Sequence, residues 1–128
     1  MIVDSSVLVS IALDEPGSAD LVEKIAGAPV VGVGAPTLVE AGIVLCSRLD
    51  VEAGEILAEI LAAAEATVVE FGPAHWREAI SAWRRFGKSR HPARLNLGDC
   101  LSYAVARVAG EPLLAVGGDF AQTDVALA

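Results

Sequence analysis

Four short apolar runs, each followed by a stretch of helical periodicity, limit what this chain can fold into. They are Ile2-Val3, Pro29–Gly34 (PVVGVG), Thr67–Phe71 (TVVEF) and Pro112–Val116 (PLLAV). Short apolar runs bounded by turn residues read as strands. The near-continuous apolar character of the second fits a strand buried on both faces, as parallel sheets require. Between the runs lie apolar residues at helical spacing. These predict helices over 7–13, from about 19 to Gly27, from about 37 through Leu45, over 51–64 and 74–86, and from about 97 to Gly110. Asp14-Glu15-Pro16-Gly17 breaks the first helix from the second. Val125 to Leu127 has the character of a short fifth strand. Strands that alternate with helices give an α/β chain with a mainly parallel sheet and right-handed crossovers.

The 128 residues suffice for one domain, spanning 1–128, and 54% hydrophobic content supplies the core. No run reaches the ~18 apolar residues of a membrane span and no basic leader opens the chain. A cytoplasmic protein with no membrane partner is expected. Cys46 and Cys100 show no metal-ligand spacing, so both are expected to be buried, reduced thiols. Trp76 and Trp83 are seven apart on one helix and are expected in the core or at an interface.

The net charge of −8 argues against a nucleic-acid binder until its distribution is considered. Residues 84–98 (RRFGKSRHPARLNLG) hold five of the nine Lys and Arg and no acid. Removing those five positive charges from the net −8 leaves −13 for the rest of the chain. Phosphate backbones bind through such clusters. His75 and His91 have no partner of metal-ligand spacing, although His91 lies among the basic residues.

Four acids fall at the start of a helix or turn: Asp4, Glu40, Asp99 and Asp119. Each has a local explanation. Asp4 or Ser5 would cap a helix, Thr37 and Glu40 have capping-box spacing, Asp99 is in the N3 slot after Asn96, and Asp119 suits a turn. Yet open parallel sheets bind ligands outside the carboxyl ends of their strands, where such junctions gather. Carboxylates gathered there repel one another, and a divalent cation relieves the repulsion. Magnesium takes one or two carboxylates, keeps several waters and accepts phosphate oxygens. That chemistry suits phosphodiester hydrolysis.

MIVDSS at the start, Thr37-Leu38-Val39-Glu40, LNLGDCLSYAVA at 95–106 and PLLAVGGDFAQTDVALA at 112–128 resemble the PIN-domain ribonucleases. The resemblance is close to the VapC group, the toxins of VapBC toxin–antitoxin pairs, and runs nearly the whole chain in order. It implies a three-layer α/β/α fold with a sheet of four or five strands. It implies a Mg²⁺-dependent endoribonuclease, with Mn²⁺ able to substitute. Asp4 and Asp99 would be the metal ligands, and Glu40 and Asp119 would complete the catalytic acids, with Asp124 close enough to share the fourth role. Ser6 matches a small hydroxyl residue near the site, and Asn96 a polar residue before the third acid. Arg85, Lys88 and Arg90 of the basic loop are the expected RNA contacts. The resemblance further implies a VapB-type antitoxin partner, which would cover the site, and a homodimer.

Two other classes use the same acids. A receiver-type phosphoacceptor needs an acidic pair after the first strand, where this chain has Asp4-Ser5-Ser6, and a late lysine, which is lacking after Arg107. A haloacid-type phosphatase needs D-x-D, and Ser6 fills the second place. A non-catalytic α/β interaction module would use the acids only as caps.

Overall fold

The computed structural model describes residues 1–128. In chain order the elements are β1 (Ile2–Val3), α1 (Ser5–Ala12), α2 (Ser18–Ala26), β2 (Gly32–Gly34), α3 (Ala35–Leu49) and α4 (Gly54–Ala63). There follow β3 (Thr67–Val69), α5 (Pro73–Phe86), α6 (Leu97–Ala109), β4 (Leu113–Leu114) and a 3₁₀ turn (Asp119–Gln122). The strands form one parallel sheet in the order β3-β2-β1-β4. From β1 the chain winds outward through β2 and β3, then crosses back to place β4 on the other side of β1. The carboxyl end of β1 is thus the topological switch point, where open α/β sheets bind ligands. Asp4 is the next residue.

The strands are shorter than the apolar runs suggest. Asp4 starts the cap of α1, so β1 is two residues long and offers its neighbours few pairs, whereas β2 pairs with β3 over three residues. Ile2 pairs with Gly32 and Leu113, and Val3 with Leu114. The expected fifth strand is reduced to a single bridge between Leu113 and Leu127.

Alternation along these strands divides the core into two layers. Ile2 and Leu113 face α5 and α6, where they join Ala79, Ala82, Phe86, Tyr103 and Val105. Val3, Val33 and Leu114 face the other way, onto Val7 and Leu8 of α1, Ile25 of α2, Leu45 of α3 and Leu57 of α4. The result is the three-layer α/β/α arrangement. Gly34 is needed for it: a Cβ there would come within 2.9 Å of the Val105 side chain, so the glycine lets α6 lie close to the sheet.

Several local expectations are corrected. Helix α3 begins at Ala35 with Gly34 as its N-cap, and Pro36 sits in the first turn, where a missing N–H costs nothing. Thr37 is therefore not a cap; its buried hydroxyl lies 3.3 Å from that of Ser102 on α6. Cys100 is buried but Cys46 is exposed, because Leu45 takes the inward position and Cys46 is about 100° further round the helix. Trp76 and Trp83 are 48% and 38% exposed, which removes the core and leaves an interface as the place expected for them. The inward face of α5 is made of small residues, Ala79 and Ala82, with Phe86, which lets it pack closely on α6. Gly87 ends α5 directly beneath Trp83: a Cβ there would lie 2.8 Å from the indole. The Lys88 N–H donates to the Leu95 carbonyl and the Leu95 N–H to the Phe86 carbonyl, which closes the base of the basic loop. No helix is long and apolar enough to cross a membrane.

Candidate active site

Asp4 both caps a helix and has an oxygen to spare. Its Oδ2 accepts the Ser6 N–H at 3.0 Å and the Ser6 hydroxyl at 2.6 Å. The Ser6 oxygen in turn accepts the Val116 N–H at 3.0 Å, which ties the cap to the segment leaving β4. Asp4 is 4% exposed, and its Oδ1 is buried with no hydrogen-bond partner. An unpaired buried oxygen of a carboxylate is costly to keep. Capping alone does not explain it, since the cap uses only Oδ2.

Asp99 stands in the first turn of α6. Its Oδ2 accepts the Asn96 N–H at 2.8 Å, and Asn96 Oδ1 accepts the Asp99 N–H at 2.9 Å, the reciprocal capping box that the sequence predicts. Burial raises its pKa from 3.8 to about 6 against the opposing Asn96 hydrogen bond, and the negative charges of Asp4, Asp119 and Glu40 add to the rise. All four acids therefore act on one locality. Glu40 lies in the second turn of α3, half-buried, with its carboxylate against the backbone of Gly98. Its pKa is raised by burial and by the charge of Asp4, and lowered in part by the Ser5 hydroxyl. Asp119 opens the 3₁₀ turn and is exposed.

No three acidic, histidine or cysteine side chains converge closely enough to cage a cation unaided. A Mg²⁺ site does not need such a cage, because this ion is commonly held by one or two carboxylates and waters. The unpartnered Asp4 Oδ1 and the mutually repelling acids around Asp99 fit that requirement.

Asp124 stands apart from the four acids. Its Oδ1 accepts the Tyr103 hydroxyl and its Oδ2 the Arg85 guanidinium, both at 2.5 Å. Burial works against its ionisation, but those two hydrogen bonds and the Arg85 charge hold its pKa below the usual range. The Arg85 guanidinium lies 4.5 Å from the centre of the Phe86 ring. Lys88 and Arg90 are exposed and have no acidic partner. Beside them is a shallow pocket of about 450 Å³ lined by Ser89, Arg90, His91, Pro92 and Arg94. His75 and His91 are occupied locally, each Nδ1 accepting a backbone N–H, from Gly72 and Ala93 respectively.

Sequence reasoning missed two features. Gly98 is one: a Cβ there would overlap the Glu40 carboxylate, and a glycine in the first turn of a helix is the only outward sign of it. The Arg85–Asp124–Tyr103 cluster is the other, since its members are 18 to 39 residues apart.

The family model described as PIN domain matches residues 1–126. A ribonuclease VapC of Mycolicibacterium smegmatis is 41% identical over 126 residues, 98% of each chain. Ribonuclease VapC28 of Mycobacterium tuberculosis is 42% identical, over 98% of this chain and 95% of that protein. Among solved structures, Mycobacterium tuberculosis VapC20, described as a sarcin-ricin loop cleaving toxin, superposes with a TM-score of 0.79 at 21% identity, covering 99% of this chain and 97% of that one. A toxin–antitoxin complex from Klebsiella pneumoniae gives 0.72 at 13% identity, covering 99% and 95%. The family match over nearly the full chain and relatives at this identity agree with the fold and with the acids at its switch point: this chain belongs to the PIN-domain family and, within it, to the VapC group.

Proposed function

We propose that this protein is a metal-dependent endoribonuclease that hydrolyses RNA phosphodiesters as the toxin of a type II toxin–antitoxin pair. What supports this reading is the buried, unpartnered Oδ1 of Asp4 at the switch point of the sheet, with the charges of Asp4, Glu40 and Asp119 acting on Asp99. Family membership adds the reaction class, because the relatives at 41–42% identity are named ribonucleases.

Asp4 and Asp99 would hold Mg²⁺, with Mn²⁺ able to substitute. A cation bound there supplies Lewis acidity, which polarises a phosphate oxygen and makes a water more acidic. The remaining work falls to the chain. Ser6 fixes the Asp4 rotamer through Oδ2 and leaves Oδ1 free for the cation. The half-buried Glu40, with its raised pKa, is suited to take the proton of the attacking water. Asp119 adds negative charge at the rim and orients water. Lys88 and Arg90 hold the RNA backbone beside the site, and Arg85, partly neutralised by Asp124, contributes less.

The protein acts as a single domain, 1–128, in the cytoplasm. A VapB-type antitoxin is its partner, by analogy with a neighbour whose structure is a toxin–antitoxin complex. A homodimer is supported by apolar side chains left exposed, among them Val39 and Ile43 on α3 and Trp76, Ile80 and Trp83 on α5. Purified protein incubated with a mixed RNA pool tests the reading. Cleavage should require Mg²⁺ or Mn²⁺, stop in EDTA and be lost in Asp99→Asn. Cleavage that persists in EDTA would show that the carboxylates do not act through a cation.

A further inference from the structure

The 3₁₀ turn that carries Asp119 has few anchors. Its hydrogen bonds are local: Ala121 N–H to the Gly118 carbonyl, Thr123 N–H and hydroxyl to the Phe120 carbonyl. Phe120 and Val125 are buried and hold the turn down by packing, without a hydrogen bond to α6. Directional ties flank the turn, at Val116 to Ser6 and at residues 126–128 to Leu113; between them the only one that reaches α5 and α6 is Asp124, five residues after Asp119. Its two oxygens are held at 2.5 Å by groups on two different helices. Tyr103 is fully buried on α6, one turn beyond Asp99, and Arg85 is in the last turn of α5. The Arg85 guanidinium also reaches the Tyr103 oxygen at 3.3 Å, so the three groups form a closed triangle.

Asp124 does not belong to the acidic cluster. The charges that act on Asp99 are those of Asp4, Asp119 and Glu40. Pairing with Arg85 offsets its charge, so it adds little repulsion to the site. An exposed Arg–Asp pair alone contributes little to stability. The bond to a buried phenol is different, because it fixes the turn against the same helix that carries Asp99.

We infer that Asp124 is a positioning residue: through Tyr103 and Arg85 it sets the Asp119 turn against α6, and so sets the place of Asp119 relative to Asp99. The inference rests on the nuclease reading above, and the test separates the two. Wild type, Asp124→Asn, Tyr103→Phe and the double variant are compared in Mn²⁺ with a single-stranded RNA oligonucleotide. Tyr103→Phe keeps the ring volume and removes only the hydroxyl, so it serves if Asp124→Asn folds poorly. Each single variant should lower kcat roughly tenfold, since small misplacements of a reacting constellation are costly. KM for RNA should hold in Tyr103→Phe, which leaves the basic residues untouched, and should hold or fall in Asp124→Asn, which releases Arg85 from its acidic partner. The Mn²⁺ concentration needed for half-maximal activity should rise several-fold. The double variant should be no worse than the worse single one, because both break one tie. Amide exchange over 117–125 should quicken in both single variants while that of β1 and α1 is unchanged. Additive losses, or wild-type kcat and Mn²⁺ requirement in both single variants, would overturn the inference and leave the nuclease reading intact. A wild type that cleaves no RNA in Mn²⁺ would overturn both.

Discussion

The Glu40 carboxylate occupies the space that a Cβ on residue 98 would fill. The acid from α3 is thus seated on the bare backbone of α6, one residue before Asp99. A glycine in a helix interior costs about 1 kcal/mol relative to alanine and less in the first turn, and here it makes room for a functional side chain. The arrangement separates stability from activity in a way that can be measured.

Gly98→Ala should leave the melting temperature unchanged or raise it, since the helix gains an alanine. Activity should fall by roughly tenfold to a hundredfold, because the Glu40 carboxylate must swing away from its seat. Shortening the acid in the pair Gly98→Ala/Glu40→Asp should recover part of the loss relative to Gly98→Ala alone. Thermal melts and steady-state rates on the three proteins decide it; a Gly98→Ala enzyme with wild-type kcat means that the seat of Glu40 is irrelevant to turnover.

Asp4→Asn should preserve the fold and lose the reaction. Asparagine caps helices about as well as aspartate, so the bonds to Ser6 can be kept. Cleavage should fall below about 1% of wild type, a barrier rise of about 2.7 kcal/mol. The check is to run circular dichroism and RNA cleavage on the same preparation. Normal cleavage, or an unfolded variant, would remove Asp4 from the ligand set.

The pH dependence of stability should report Asp99. Its pKa in the folded state, about 6, lies above its ordinary 3.8. A raised carboxylate pKa means that the folded state binds the proton more tightly. The stabilisation from protonation is therefore fully present below about 3.8 and is lost as pH rises through about 6. In EDTA the melting temperature of wild type should include a contribution that falls over this window. In Asp99→Asn that contribution should be missing, so the variant melts higher than wild type near neutral pH in EDTA. A cation competes with the proton, so the rise in melting temperature given by Mn²⁺ should shrink below about pH 6 and should be smaller in Asp99→Asn. Equal responses to Mn²⁺ in both proteins would show that Asp99 takes no part in binding the ion.

The salt dependence of RNA binding should identify the basic loop. Each phosphate contact removed should take ~0.7 from the log–log slope for single strands, or ~0.9 for a duplex. Neutralising Arg85, Lys88 and Arg90 together should flatten the slope, and Lys88 with Arg90 should account for most of the change, since Arg85 is paired with Asp124. Binding isotherms for an inactive variant at several salt concentrations test this. An unchanged slope in the triple variant places the RNA elsewhere.

Much of this architecture can be read from the residues in order, because its signals are local. The Asn96–Asp99 capping box, the Gly110 helix stop and the alternation of strands with helices all appear where the spacing puts them. The start of α3 was obscured because Gly34-Ala35-Pro36 and Thr37-x-x-Glu40 are competing helix-start signals, and the proline won. The exposure of Trp76 and Trp83 was hidden because helical periodicity shows that a stripe exists, not which of two apolar stripes faces inward. The four acids of the candidate site were visible as junction residues. Their supports were not, because Gly98 beneath Glu40 and Tyr103 against Asp124 are contacts between distant segments that no local spacing encodes.

The seat of Trp83 over Gly87 gives the protein an optical reporter of its own. The indole rests on the first residue of the basic loop, and the chain has only one other tryptophan, Trp76. With Trp76 replaced by phenylalanine, a single fluorophore would remain, fixed to the root of the segment assigned to RNA contact. Its emission would then register engagement of the loop in an unlabelled protein, in real time and independently of whether the bound strand is cut.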